Sequence, residues 1–276
     1  MIRSLKDIKL WAYSKMNLNF VSKEDINYLL QETFSLKPYE LLLKENELLD
    51  DHLFIDFFER VNNGEPLYYV LGKAPFYGLN FQCKRGVTLI PRNETEELVS
   101  MAIEDINKFG FKKVLDIGTG TGCIALSIKK NALEVEVHAL DISKEALEIA
   151  EINKKHLGVD VKLFLGDCLE NVEEKYDLIV SNPPYIDRDS FVQESVINYE
   201  PHIALFADNH GLMIYEKIFS KIDNCLNYSS EAIFEISPDL VDGLVNLLNK
   251  YLPKYSYSFY KDMNHFIRFL KIRKDK

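Results

Sequence analysis

The chain has 276 residues, 47% of them hydrophobic and 28% charged, which suits about two packed domains and excludes a disordered chain. Its 43 acidic and 33 basic side chains give a net charge of −10, which disfavours a nucleic-acid backbone as the main partner. Cys83, Cys123, Cys168 and Cys225 lie scattered without a CxxC pair, so reduced thiols fit better than a disulfide or zinc framework. The first seven residues mix charges through their apolar positions, unlike a signal peptide, and no apolar run approaches the ~18 residues of a membrane span. A cytoplasmic protein with no membrane association is the expectation.

Residues 1–72 are expected to form a helical domain. Leu5, Ile8, Trp11 and Ala12 recur at helical spacing. Ser22 with Asp25 has the form of a capping signature before Ile26, Leu29, Leu30 and Phe34. Pro38 opens a short third helix, and Leu49, Leu53, Phe54, Phe57, Phe58 and Val61 stripe a fourth. This domain has no titratable cluster, so its role would be docking a macromolecule. Residues 73–95 change character. Phe76–Cys83 and Gly86–Ile90 are expected to pair as a β-hairpin connector. Asn93 with Glu96 is expected to cap the next helix.

The catalytic domain is expected over 96–276, with strands and helices alternating as in a mainly parallel sheet covered on both faces. Strands are expected at Lys113–Ile117, Val135–Leu140, Val161–Leu165, Asp177–Val180 and Glu231–Ile236, with two closing strands near 255–260 and 266–270. Ser143 caps one intervening helix.

Asp116-Ile117-Gly118-Thr119-Gly120-Thr121-Gly122 follows the first of these strands. Glycines there let the backbone turn sharply and approach a ligand closely. A dinucleotide fingerprint would place its last glycine where Cys123 stands. The observed G-x-G-x-G spacing after an acid resembles the Rossmann-like, S-adenosylmethionine-dependent methyltransferases. Asp141 ends the second strand, where a carboxylate can accept from a ribose diol. Asp167, beside Cys168, ends the third, where an acid can accept from an adenine amino group.

Ser181-Asn182-Pro183-Pro184-Tyr185 ends the fourth strand, at the same sheet edge. Two prolines remove amide donors and stiffen the turn. If Asn182 Oδ1 and the Pro183 carbonyl each accept one N–H, a planar NH₂ group is held for attack on a methyl group. Pro184 completes the cradle, and the Tyr185 ring is expected to pack over the acceptor. The catalytic candidates are therefore Asn182, Pro183 and Tyr185. The cofactor-binding candidates are Gly118, Thr119, Gly120, Thr121, Gly122, Asp141, Asp167, Cys168 and Asn182. Neither metal nor histidine chemistry is indicated.

Across the whole chain the sequence resembles the bacterial peptide chain release factor glutamine N5-methyltransferases (the PrmC/HemK family). The resemblance lies in Gly64-Glu65-Pro66-Leu67, Phe76-Tyr77-Gly78-Leu79, Leu89-Ile90-Pro91-Arg92-x-x-Thr95-Glu96, the 118–122 loop, 181–187 and Tyr199-Glu200-Pro201. It implies methylation of the glutamine in the Gly-Gly-Gln motif of class I release factors, with S-adenosyl-L-methionine as cofactor. The helical domain would dock the release factor, and the enzyme would be a monomer with no direct nucleic-acid target. Asn93, Cys168, Ser237 and His265 depart from the family's usual residues. Three alternatives stand beside this reading. One is a ribosomal-protein glutamine methyltransferase. Another is an adenine-N6 methyltransferase acting on a flipped base. The third is a cofactor-binding protein without activity.

Overall fold

The structure, a computed structural model, describes residues 1–275. Its backbone contacts gather into two compact units, residues 1–73 with 193–199, and residues 74–192 with 200–276. Among the described residues no helix is long and apolar enough to cross a membrane.

In the smaller unit, β1 (Ile2–Ser4) precedes α1 (Leu5–Lys15), α2 (Lys23–Phe34) and α3 (Glu40–Leu43). Then β2 (Leu48–Asp50) leads into α4 (His52–Asn62) and α5 (Leu67–Leu71). The Ser22 hydroxyl accepts from the Asp25 N–H at 3.0 Å, and the Asp25 carboxylate accepts from the Ser22 N–H at 2.9 Å. Such a cap stabilises α2 by about 1 kcal/mol. Leu5, Ile8, Ile26, Leu30, Phe54 and Phe58 are fully buried in the unit's core. The expectation of helices alone needs one correction. β1 and β2 pair antiparallel, Ile2 opposite Asp50, and Arg3 bonds the buried Asp51 where α4 begins. Three residues per strand are too few to display a period in sequence.

β3 (Lys73–Phe76) and β4 (Leu79–Gln82) form a hairpin. Its turn residues Tyr77 and Gly78 both have positive φ, 50° and 71°, the type I′ form that matches strand twist. The expected strand over Gly86–Ile90 is absent. Residues 83–92 run as turns and irregular chain, so the hairpin lies one strand earlier than its sequence suggested. α6 (Asn93–Phe109) follows without the expected capping box. Glu96 instead accepts from the Tyr77 N–H at 2.7 Å and fastens the helix to the hairpin turn.

The remaining elements are β5 (Lys113–Ile117), α7 (Cys123–Asn131), β6 (Glu136–Asp141), α8 (Lys144–Leu157), β7 (Lys162–Leu165), β8 (Tyr176–Ser181), α9 (Glu194–Tyr199), α10 (His202–Leu205), α11 (Met213–Cys225), β9 (Leu226–Glu235), α12 (Val241–Tyr251), β10 (Ser256–Lys261) and β11 (Ile267–Lys274). The seven-stranded sheet has the order β10-β11-β9-β8-β5-β6-β7. β9, β8, β5, β6 and β7 are parallel, and β11 runs antiparallel to both its neighbours.

Alternation along the strands feeds two cores. Val114, Leu178, Val180 and Ile233 face a cluster with α6 and α7. Leu115, Ile179, Ala232 and Phe234 face one with α11 and α12. The chain steps outward from β5 through β6 to β7, then returns to β8 on the other side of β5. The reversal opens a crevice at the carboxyl ends of these strands, where ligands of such sheets bind.

Candidate active site

A cavity of about 510 Å³ opens at that edge, lined by Gly118–Thr121, Asp141, Asp167, Cys168 and Ser181–Pro184. Its volume is within the usual range of small-molecule sites. Residues 87–92, Thr95, 202–204, Phe206 and Lys217 contribute the facing walls.

The glycine loop is built for close approach. Gly118 and Gly120 have φ of 73° and 55°, and a side chain on either would project into open space. At Gly122 the constraint is packing, because a Cβ would meet Leu126 Cδ1 at 2.8 Å. The fully buried Asp116 pins the loop. Its Oδ2 accepts from the Thr119 hydroxyl at 2.6 Å and from the Ala125 N–H at 3.2 Å, while Oδ1 has no partner among the described residues. Burial pushes this carboxyl up to about 7 against both bonds. Asn153 of α8 donates to the Thr121 carbonyl at 2.8 Å and to the Gln82 carbonyl at 3.0 Å, tying loop and hairpin together.

Asp141 ends β6 with both oxygens engaged. Oδ2 accepts from the Gly120 N–H at 2.8 Å and Oδ1 from the Ser143 N–H at 2.9 Å. Each keeps a lone pair for a ligand hydroxyl. Burial raises this carboxyl above its ordinary value, opposed by the bonds from Ser143, Gly120 and Ile142. Asp167 bonds Lys217 of α11. Cys168 has φ of 52°, and burial pushes its thiol up to about 12.

At the end of β8 the Ser181 hydroxyl donates to the Ile117 carbonyl at 2.7 Å, locking β8 to β5. Asn182 Nδ2 donates to Thr95 Oγ1 at 3.1 Å, and that hydroxyl donates to Glu235 Oε2 at 2.7 Å. Thr95 and Glu235 are both buried. Tyr185 stands back from the cavity, its ring packed against the core shared with α11 and α12. A Cβ on Gly211 would lie 2.2 Å from the Tyr185 carbonyl oxygen, so a glycine there lets the chain cross directly behind the turn. Arg92 and Glu200 pair between the irregular 83–92 segment and the chain entering α10.

A family model described as the methyltransferase small domain matches residues 96–199. The chain is 36% identical over 264 residues to the release factor glutamine methyltransferase of Streptococcus pneumoniae, covering 95% of this chain and 90% of that protein. It is 37% identical to the one of Clostridium acetobutylicum, covering 85% and 81%. The chain belongs to the release factor glutamine methyltransferase family. Among solved structures, a ribosomal protein L11 methylase from Lactobacillus delbrueckii subsp. bulgaricus aligns with a TM-score of 0.52 at 22% identity, covering 74% of this chain and 89% of that one. A T. thermophilus 16S rRNA methyltransferase bound to AdoMet and guanosine aligns at 0.53 and 14%, covering 73% and 49%. These two establish the fold, a class I S-adenosylmethionine methyltransferase sheet.

In this family member the cavity brings together Gly118, Thr119, Gly120, Thr121, Asp141, Asp167, Cys168, Asn182, Pro183 and Pro184. Gly122 and Tyr185 support the wall from behind. Sequence reasoning gave no role to Thr95, Glu235, Asn153 or Lys217. Thr95 stands within a run quoted for the resemblance and Glu235 within the expected strand Glu231–Ile236, but nothing in spacing joins residues 140 positions apart. The described residues hold one cluster with metal-ligand chemistry, Glu136, His138 and Glu174. It starts at the far end of β6 from the cavity, and its carboxylates already pair with Lys113 and Lys162.

Proposed function

We propose that this chain methylates the side-chain amide nitrogen of the glutamine in the Gly-Gly-Gln motif of class I peptide chain release factors. The observation that carries the reading is the Asn182 amide, at the cavity edge with Nδ2 engaged by Thr95. Its Oδ1 then serves as an acceptor for a substrate N–H. Family membership supports the choice of glutamine.

The cavity fits S-adenosyl-L-methionine in size and lining. The open space over Gly118 and Gly120 is where an extended ligand can lie against bare backbone. Gly118 to Gly122 would hold its methionine part, Asp141 its ribose hydroxyls, and Asp167 and Cys168 would border its adenine. When bound, the cofactor would supply an electrophilic methyl group on a sulfonium, its sulfur–carbon bond breaking to leave a neutral thioether while the methylated nitrogen gives up one N–H proton to water.

The chain's own residues then orient the acceptor. An amide nitrogen is a poor nucleophile because its lone pair is delocalised into the carbonyl. Asn182 Oδ1 and the Pro183 carbonyl each accept one N–H of the glutamine amide, so the nitrogen presents its face to the methyl group. Positive charge developing on nitrogen is stabilised by the same two acceptors, a preorganised arrangement that contributes several kcal/mol. Pro183 and Pro184 carry no N–H, so neither proline competes for these carbonyls. Tyr185 holds the turn from behind rather than roofing the acceptor, in line with its packing.

The reading extends to the rest of the chain. Residues 1–72 dock the release factor, 73–95 form the connector and 96–276 carry the chemistry. The enzyme acts as a cytoplasmic monomer without a nucleic-acid target. A direct test incubates the protein with labelled S-adenosylmethionine and a release factor, a ribosomal protein or DNA. Label on the release-factor glutamine alone is expected. Label on either other acceptor, or none on the release factor, overturns the reading.

A further inference from the structure

Asn182 is a directional group. Nδ2 can only donate and Oδ1 can only accept, so the amide is useful to an incoming N–H in one of its two orientations. The side chain itself carries no preference between them. Its partner Thr95 has a single proton, and the structure gives that proton to Glu235 Oε2 at 2.7 Å. Only lone pairs of Thr95 then face Asn182, and together with the Glu235 carboxylate, which also accepts from the Asn182 amide, they select Nδ2, at 3.1 Å from Thr95. Strand register creates the arrangement. Ser181 pairs with Phe234 across β8 and β9, so Asn182 and Glu235 sit next to each other at two parallel strand ends. α6 brings Thr95 to both.

We propose that Thr95 and Glu235 are positioning residues that fix which side of the Asn182 amide meets the acceptor, so that methyl transfer requires Glu235 to be ionised. The inference rests on the reading of Asn182 as partner to the substrate amide. With Glu235 protonated, its O–H can donate to Thr95. The Thr95 proton is then free to turn to Asn182, where it selects Oδ1 and leaves Nδ2 facing the substrate. Two donors then meet, and the cradle is lost.

The surroundings of Glu235 make this protonation accessible near neutral pH. Burial pushes the carboxyl up to about 7. The Thr95 and Asn182 hydrogen bonds and the Arg268 charge on β11 oppose the shift, and Glu94 on α6 adds to it. Tyr185 behind the turn, Tyr215 on α11 and Cys123 on α7 also face this carboxyl. The Tyr215 hydroxyl donates to the Glu235 backbone carbonyl at 2.6 Å and holds the strand end in place.

The test measures kcat for release-factor methylation from pH 6 to 8, and cofactor affinity by calorimetry, in the wild type and four variants. Wild-type kcat is expected to fall as pH drops through about 7, as a single-proton limb. Glu235→Gln removes the titrating group, so the limb flattens. Thr95→Val, close in shape but without the hydroxyl, lowers kcat roughly tenfold or more with cofactor affinity unchanged. Thr95→Ser restores most of that loss, which a mere packing role would not allow. A limb that persists in Glu235→Gln, or wild-type kcat in Thr95→Val, overturns the relay. Asn182→Ala separates the two readings. If it abolishes turnover while Thr95→Val and Glu235→Gln do not, the relay alone fails. If it leaves turnover intact, the cradle fails and the relay with it.

Discussion

Two buried carboxylate–threonine pairs stand at this sheet edge, and they do different work. Asp116 takes the Thr119 hydroxyl at 2.6 Å, and Glu235 takes the Thr95 hydroxyl at 2.7 Å. Burial pushes both carboxyls up to about 7. At Asp116 the partners, Thr119 and the Ala125 N–H, belong to the glycine loop and the helix after it, so the pair shapes backbone. At Glu235 the threonine passes the constraint on to an amide side chain at the cavity. The same chemical pair is a scaffold where it closes on its own loop and an orienting device where a third polar group is attached.

The largest effect expected is at the third group. Asn182→Ala should lower turnover roughly 10²–10³-fold with nearly unchanged cofactor affinity, the scale for removing one preorganised hydrogen-bonding group. Steady-state kinetics beside calorimetry check it, and a parallel loss of cofactor affinity would blur the distinction between the two pairs.

Asp116 can be tested as scaffold through stability. Its folded-state value lies above the unfolded one, so the native state holds the proton more tightly. Its contribution is full below about pH 4 and is lost as pH rises through about 7. Asp116→Asn keeps an acceptor for Thr119 and Ala125 but cannot ionise. Relative to the wild type, the variant should gain on the order of 3 kcal/mol between pH 4 and 8. Denaturant titrations at the two pH values measure this, and equal pH dependence in both proteins would remove Asp116 as the titrating group.

Asp141 belongs to the loop side of the comparison and should affect cofactor rather than turnover. Asp141→Ala should weaken cofactor binding by about 1.5–3 kcal/mol, the scale of a hydrogen bond to a charged group. Unaltered affinity by calorimetry would show that the ribose assignment is wrong. The smallest effect lies outside both pairs. Ser22→Ala in the helical unit should lower stability by about 1 kcal/mol through loss of its cap, with catalytic pH dependence unchanged. A change in the pH limb would break the link between that limb and Glu235.

Much of the molecule was legible in advance because its signals are local. β5 and β8 are runs of buried apolar residues, as a parallel sheet covered on both faces requires. Gly118, Gly120 and the two prolines announce backbone constraints by residue type alone. Sequence and structure part where a group has more than one available partner. Glu96 stands at capping-box spacing yet bonds the hairpin turn, because Tyr77 N–H competes for the same carboxylate. Gly86–Ile90 alternates like a strand, yet β4 already pairs with β3 and among the described residues no strand faces it.

The sequence by itself determined the succession along the chain of the seven large-sheet strands, the glycine loop, the acids at strand ends and the proline-bounded amide. Each follows from a period or a φ restriction acting within a few residues. Tertiary structure alone decided which way Asn182 turns. That choice depends on a hydroxyl 87 positions away and on a carboxylate brought alongside by pairing of parallel strands. Parallel pairing joins segments distant in the chain. Its consequences for a single hydrogen bond therefore leave no mark in local sequence.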